Sequence, residues 1–287
     1  MIEAARSFMW LNARVLEQRR FSYLFDGGPA DAVVAAVVAY RNDDGGFGHA
    51  LEPDGRGPES QPLHTYTALS LLEEVGSAEY AESACDFLMT ITNADGGVPN
   101  CLNTGRPDLR APWWQPSGDS DLLVTGLLAS VLHKMEVEHA WLDRATEFCW
   151  QRITDLTKSH PYEVNACARF LDHVPDRPRA EREAARLGAV VREQGLVDLG
   201  DGEAHEGYAE GETHKPHHYA PTPDSLARKW FTDDEIRADL DAVAAAQQDD
   251  GGWTFPWASW TPVTTYEWRP VVTIEALLTL RAYDRIS

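Results

Sequence analysis

The residues of this sequence best suited to chemistry are its closely spaced carboxyl pairs. Asp119 and Asp121 stand two apart in Asp119-Ser120-Asp121, just ahead of the apolar run Leu122-Leu123-Val124. Two carboxyls held together repel as anions, so one of them can keep its proton and act as a general acid. The same pattern also suits a helix start, with an Asp cap and a second acid in the first turn. Glu52 and Asp54 flank Pro53 in a loop that contains Gly48, Gly55 and Gly57. A short, rigid acidic loop can supply an acid–base pair or oxygen ligands for a cation; the plain alternative is solvated loop charge.

Histidines and aromatics form the other two groups. His205, His214, His217 and His218 fall in the least regular stretch, residues 195–221. Pro216 separates His214 from His218 and disrupts a shared helical face, and no cysteine pair completes the three or four ligands that zinc requires. These histidines read as pocket-lining or surface side chains rather than metal ligands. Trp113 and Trp114 precede the Asp pair, while Trp257, Trp260, Tyr266 and Trp268 lie near the C-terminus. Their faces could stabilise a carbocation, stack on a sugar or pack between helices. The glycines around Glu52 do not make a phosphate cradle, because both the fingerprint spacing and a preceding strand are missing.

Composition narrows the partners. With 46 acidic against 25 basic residues the formal charge is −21, which repels nucleic-acid backbones and acidic membrane surfaces. No apolar run is long enough to span a bilayer, and residues 1–20 lack the apolar centre of a secretion signal. The cysteines (Cys85, Cys101, Cys149 and Cys167) show no close pairing. A reduced, cytoplasmic protein with a small-molecule partner is the expectation.

Something must position these side chains, and an internal repeat points to it. Asp44-Gly45-Gly46-Phe47, Asp95-Gly96-Gly97-Val98 and Asp250-Gly251-Gly252-Trp253 each end an apolar, helix-like run. Glycine closes a helix by accepting positive φ, and the next apolar residue can tuck beneath the helix end. Gly96 lies 51 residues after Gly45, and Gly251 lies 155 after Gly96, close to three such intervals. Two degenerate copies are therefore expected near residues 148 and 200. Apolar spacing predicts helices over 3–18, 29–41, 62–75, 78–91, 119–135, 139–156, 161–173, 178–193, 222–230, 233–247 and 265–283, with no convincing strand.

Gln247, Gly251 and Trp253 stand in the spacing Q-x-x-x-G-x-W. This resembles the QW repeat of squalene and oxidosqualene cyclases; Arg41 and Phe47, then Thr92 and Val98, occupy the corresponding places in the other two copies. The resemblance, to the terpenoid-cyclase and protein-prenyltransferase superfamily, implies one all-α domain over residues 1–287: an α/α toroid of about six helix pairs, inner and outer. The segment from Gly45 to Asp54 is also similar to bacterial prenyltransferase-like proteins with no assigned reaction. Asp119-Ser120-Asp121 resembles the D-x-D-D motif of class II terpenoid cyclases, in which Asp121 would match the acid that protonates an alkene or epoxide. Leu122 replaces the last Asp of that motif, and the Asp-x-Cys zinc element of the prenyltransferases is absent.

In such a toroid the inner-helix starts and the loops before them converge on one mouth of a cavity. The resemblance thus makes Asp121, Asp119, Glu52 and Asp54 the candidate catalytic carboxyls. Trp113, Trp114, His64, Tyr162, Glu163, His217, His218, Trp257, Trp260, Tyr266 and Trp268 become the candidate substrate contacts. The reaction it implies is acid-initiated cyclisation or isomerisation of an apolar isoprenoid, without a cofactor; a diphosphate substrate would need a divalent metal to offset the acidic surface. Because α/α toroids also carry carbohydrate-active enzymes, paired carboxyls with tryptophan platforms equally admit a glycosidase, lyase or epimerase acting on a sugar. A non-catalytic binding protein is the third alternative.

Overall fold

The computed structural model describes residues 1–200 and 202–286, and within them the apolar periodicity becomes twelve α-helices. These are α1 (Ile2–Asn12), α2 (Val15–Asp26), α3 (Ala30–Val38), α4 (Pro62–Glu74), α5 (Ala81–Thr90) and α6 (Leu122–Lys134). The series continues with α7 (Ala140–Asp155), α8 (Pro161–His173), α9 (Arg177–Glu193), α10 (Pro216–Tyr219), α11 (Asp233–Ala245) and α12 (Pro262–Ala282). Single 3-10 turns occur at Pro107–Leu109 and Leu226–Trp230. Among the described residues there is no strand, only the isolated bridges Arg41–Phe47 and Gly55–Arg110. No helix there is long and apolar enough to cross a membrane.

The three Asp-Gly-Gly turns are built alike. Gly45, Gly96 and Gly251 have φ of 91°, 95° and 92°. The preceding Asp side chain accepts from the second glycine's N–H: Asp44 from Gly46, Asp95 from Gly97, Asp250 from Gly252. Phe47, Val98 and Trp253 then turn inward and are buried. Their N–H groups donate to the hydroxyls of Thr65, Thr125 and Thr273, at 3.3, 3.0 and 2.9 Å. Each threonine is buried on the next long helix of its unit: α4, α6 or α12.

The same turns dock on other helices. A Cβ added at Gly45 would fall 2.3 Å from the Ser83 carbonyl oxygen of α5, and one at Gly96 2.7 Å from that of Arg144 in α7. At Gly251 it would fall 2.2 Å from the carbonyl oxygen of Ala4 in α1. The second glycines meet Phe87, Phe148 and Phe8, one turn further along those helices. The last turn therefore rests on the first helix, much as the earlier turns rest on the helices that follow them. Gln247 Nε2 adds a bond to the Met1 carbonyl oxygen (3.0 Å), and α1 also packs against α12. The degenerate copies expected near 148 and 200 fall differently. Residue 148 lies inside α7, and the equivalent connections, residues 156–160 and 194–215, have no Asp-Gly-Gly turn.

Other boundaries shift for tertiary reasons. The helix expected over 3–18 is two helices, because Arg14 is extended and its guanidinium binds the carbonyl oxygens of Ala50 (2.8 Å) and Leu51 (3.2 Å) as well as Glu17. The helix expected from 119 begins at Leu122, since Asp121 is its N-cap. Residues 222–230 contain a 3-10 turn in place of an α-helix, and the four-residue α10 interrupts the irregular stretch. The four cysteines are free and buried.

The docking of the last turn on α1 is open to a direct test. Gly105 also has positive φ (+73°) but faces open space. Gly251→Ala should therefore cost about 1–3 kcal/mol more than Gly105→Ala in urea unfolding, the usual cost of overpacking. Equal losses would mean that the approach to Ala4 is unimportant.

Candidate functional site

Backbone pairing places the first carboxyl. The loop between α3 and α4 meets the loop after α5, where Arg56 N–H donates to the Leu109 carbonyl and Ala111 N–H to that of Asp54, both at 2.7 Å. That pairing holds Asp54 below the surface. Its carboxylate accepts two indole N–H bonds from distant parts of the chain: Trp113 Nε1 on Oδ2 at 2.9 Å and Trp268 Nε1 on Oδ1 at 3.2 Å. Burial raises the Asp54 pKa above the usual aspartate value, and the indole donors pull it partly back.

Glu52 sits beside it, its Oε2 accepting the Asp54 backbone N–H at 3.1 Å. Burial and then the Asp54 charge hold the Glu52 pKa well above the usual glutamate value. The two carboxyls thus sit in unequal settings, which is how one acid is kept protonated beside another that ionises. Just upstream, His49 and Ala50 both adopt left-handed backbone, φ 58° and 61°. Each such residue stores of order 1–3 kcal/mol, a cost commonly found near functional loops.

His64 underpins this loop. It is 1% exposed in the first turn of α4, and its Nδ1 accepts from Glu52 N–H at 2.9 Å. Burial, then the charge of Arg14, lowers its pKa to about 3, so the ring is neutral. Trp114 packs against it with ring centres 5.6 Å apart. Gly55 is required here, because a Cβ would lie 2.6 Å from Trp114 and 2.7 Å from His64 Nε2.

Around the pair, Trp257 stacks on Phe255 (4.8 Å) and meets Trp268 edge-on (5.0 Å). The Trp257 and Trp260 Nε1 atoms are buried without a hydrogen-bond acceptor, although Trp260 faces Asp54 closely enough to lower its pKa. Arg56 pairs with Glu267, which is buried near the start of α12. Tyr162 donates to Glu212 at 2.7 Å, and the charge of Glu212 reaches Asp54, whose pKa it helps to raise. Trp113 and Tyr266 remain open to solvent, at 43% and 63%.

The remaining expected site residues have other settings. Asp121 Oδ1 accepts from Val124 N–H at 2.8 Å as the α6 cap, and burial raises its pKa. Asp119 is exposed, its N–H bonded to Ser117 Oγ. Glu163 accepts from Ser159 Oγ (2.6 Å), while His217 is held by Asp239 at 2.9 Å. His218 Nδ1 accepts from Lys215 N–H, and its ring lies against those of His217 and His214. Among the described residues no three His, Cys, Asp or Glu side chains are grouped to hold a metal ion.

Arg56, Tyr208 and Glu212 are the members that sequence reasoning missed. Tyr208 OH bonds His160 Nδ1 at 2.9 Å, and its ring packs against Tyr162. No repeat or spacing marks these residues; only their partners do.

No family model matches the sequence, and no curated protein matches it. Among solved structures, a crystal structure of a protein from Actinoplanes aligns over 99% of this chain and 89% of that one, with a TM-score of 0.58. At 19% identity, that likeness speaks for the fold alone.

The raised Glu52 pKa has a thermodynamic consequence. The folded state binds this proton more tightly than the unfolded state, so stability falls as pH rises from the ordinary glutamate range up to the raised folded value. Glu52→Gln should therefore stabilise the protein at pH 7 by about 0.5–2 kcal/mol. The gain should fade below about pH 4, where both forms are neutral. Urea midpoints of the two proteins from pH 4 to 8 check this; a difference independent of pH would refute it.

Proposed function

We propose that this chain is a carbohydrate-active enzyme on an α/α toroid, using Glu52 and Asp54 for acid–base chemistry on an uncharged sugar. The toroid is supported by the docking of the Gly251 turn on α1, which repeats at the chain ends the contact made by the Gly45 and Gly96 turns. Contacts that run from α4 through α6, α8, α10, α11 and α12 to α2 support the same arrangement. Its inner helices would then carry the loops that hold Asp54.

The observation that carries the reaction is a buried carboxyl pair whose Asp54 faces three indole N–H groups, those of Trp113, Trp268 and Trp260. Asp54 takes its bonds from Trp113 and Trp268 and faces Trp260, while the Trp257 indole N–H has no acceptor. A buried donor without an acceptor costs about 1–3 kcal/mol. Sugar hydroxyl groups could bond the carboxyl oxygens while the ring stacks on an indole face; a hydrocarbon could only stack. Glu52, holding its proton, would donate it to the departing glycosidic oxygen. Asp54, the more readily ionised of the two, would stabilise the developing oxocarbenium charge or activate water. The acidic surface favours an uncharged substrate over a polyanionic one.

Acid-initiated isoprenoid cyclisation is the second reading, favoured by the same carboxyl among indoles. The proton donor would then be in the Glu52–Asp54 loop, since an Asp121 oxygen is engaged in capping α6.

One experiment separates the two. Neutral oligosaccharides and polyprenyl compounds would be screened for turnover by mass spectrometry, with tryptophan emission reporting binding. The expected result is turnover of a neutral glycan, with Glu52→Gln and Asp54→Asn each lowering kcat by about 10²–10⁴-fold and leaving KM nearly unchanged. Turnover of a polyprenyl compound alone would replace this reading with the second. Wild-type activity in both variants would remove the pair from the chemistry.

A further inference from the structure

A small cavity lies where the two paired loops meet. Its volume is about 20 Å³, and its lining includes Gly55, Gln61, His64, Cys101, Arg110 and Trp114. Two buried donors from this lining have no acceptor: His64 Nε2 and Arg110 Nη1. The His64 assignment follows from its bonding. Nδ1 accepts from Glu52 N–H, so in the neutral ring the hydrogen is on Nε2.

Arg110 makes no side-chain hydrogen bond and no ion pair among the described residues, whereas Arg106, also at this cavity, is paired with Asp108 at 2.8 Å. The charge of a partly buried guanidinium is costly without a counter-charge. Burial pushes the Cys101 thiol up to about 11, so Cys101 supplies no negative charge. Glu59, the carboxylate in the lining, belongs to an exposed residue near Gly57. Gln61 is occupied, its Oε1 accepting from Leu102 N–H at 2.7 Å.

We infer that this cavity is a binding site for a small monovalent anion, a halide or the carboxylate head of a small acid, held between Arg110 and the His64 Nε2–H. Water could accept the two donors but would bring no charge to the buried Nη1 end of the guanidinium, which makes no ion pair; Asp121, whose charge also reaches Cys101, is engaged in capping α6. The volume suits one water-sized centre or a few atoms, too small for phosphate or a sugar. The anion would brace the loop pairing at Gly55–Arg110, beside the backbone bond from Ala111 that holds Asp54. This inference does not depend on the sugar reading, because its test reads binding and not turnover.

The probes are sodium bromide and sodium formate, with sodium sulfate at matched ionic strength as the control. Bromide or formate is expected to raise the melting temperature saturably by about 2–4 °C, and the rise should be absent in Arg110→Gln. Crystals of the wild-type protein soaked in bromide should show an anomalous peak between Arg110 and His64. A bromide peak identifies a halide site. Formate density without a bromide peak identifies a carboxylate site. A lone water there under both probes, or an equal thermal response in Arg110→Gln, overturns the inference. Should Arg110→Gln fail to fold, the wild-type crystals decide alone.

Discussion

Close approach of a glycine to a neighbouring carbonyl organises this molecule. At Gly45, Gly96 and Gly251 the chain leaves a helix with positive φ and comes so near another helix that any side chain would collide with its backbone. The contact also sets the direction of the residue two positions on, which is buried and bonded to a threonine on a long helix of the same unit. Each loop that follows is consequently anchored at its start. Only with that anchor can an irregular segment such as residues 48–60 hold a carboxyl in a defined place.

The Glu52–Asp54 loop uses this rigidity against its own stability. Two left-handed residues and two carboxyls with raised pKa values are concentrated within residues 49–54. Arg14 offsets part of the cost by binding the carbonyls of Ala50 and Leu51 from a different helix. Such a balance is what the proposed acid–base role requires: the scaffold supplies stability that the loop lacks.

Two Asp-containing loops show how context separates similar sequences. Asp121 and Asp54 both lie shortly before or within loops that lead into helices, and burial raises the pKa of each. Asp121 stands one residue before the first turn of α6, so its oxygen meets a free backbone N–H and caps the helix. Asp54 is eight residues upstream of α4 and has no such N–H within reach. Its partners are indoles brought from residues 113 and 268.

The sequence by itself determined the all-helical character, most helix positions and the three equivalent turns, because these depend on local periodicity and on glycine's freedom at positive φ. It also marked Glu52, Asp54, Trp113 and Trp268 as candidates by residue type. Tertiary structure alone decided that these four meet, that Arg14 splits the first helix, and that Arg56, Glu212 and Tyr208 lie near them. It likewise left Arg110 Nη1 and His64 Nε2 without partners in a shared cavity. Those outcomes rest on contacts between residues tens to hundreds of positions apart, which impose no local pattern on the chain. A hydrogen bond such as that from Trp268 to Asp54 leaves no period or motif at either end, so only the folded packing reveals it.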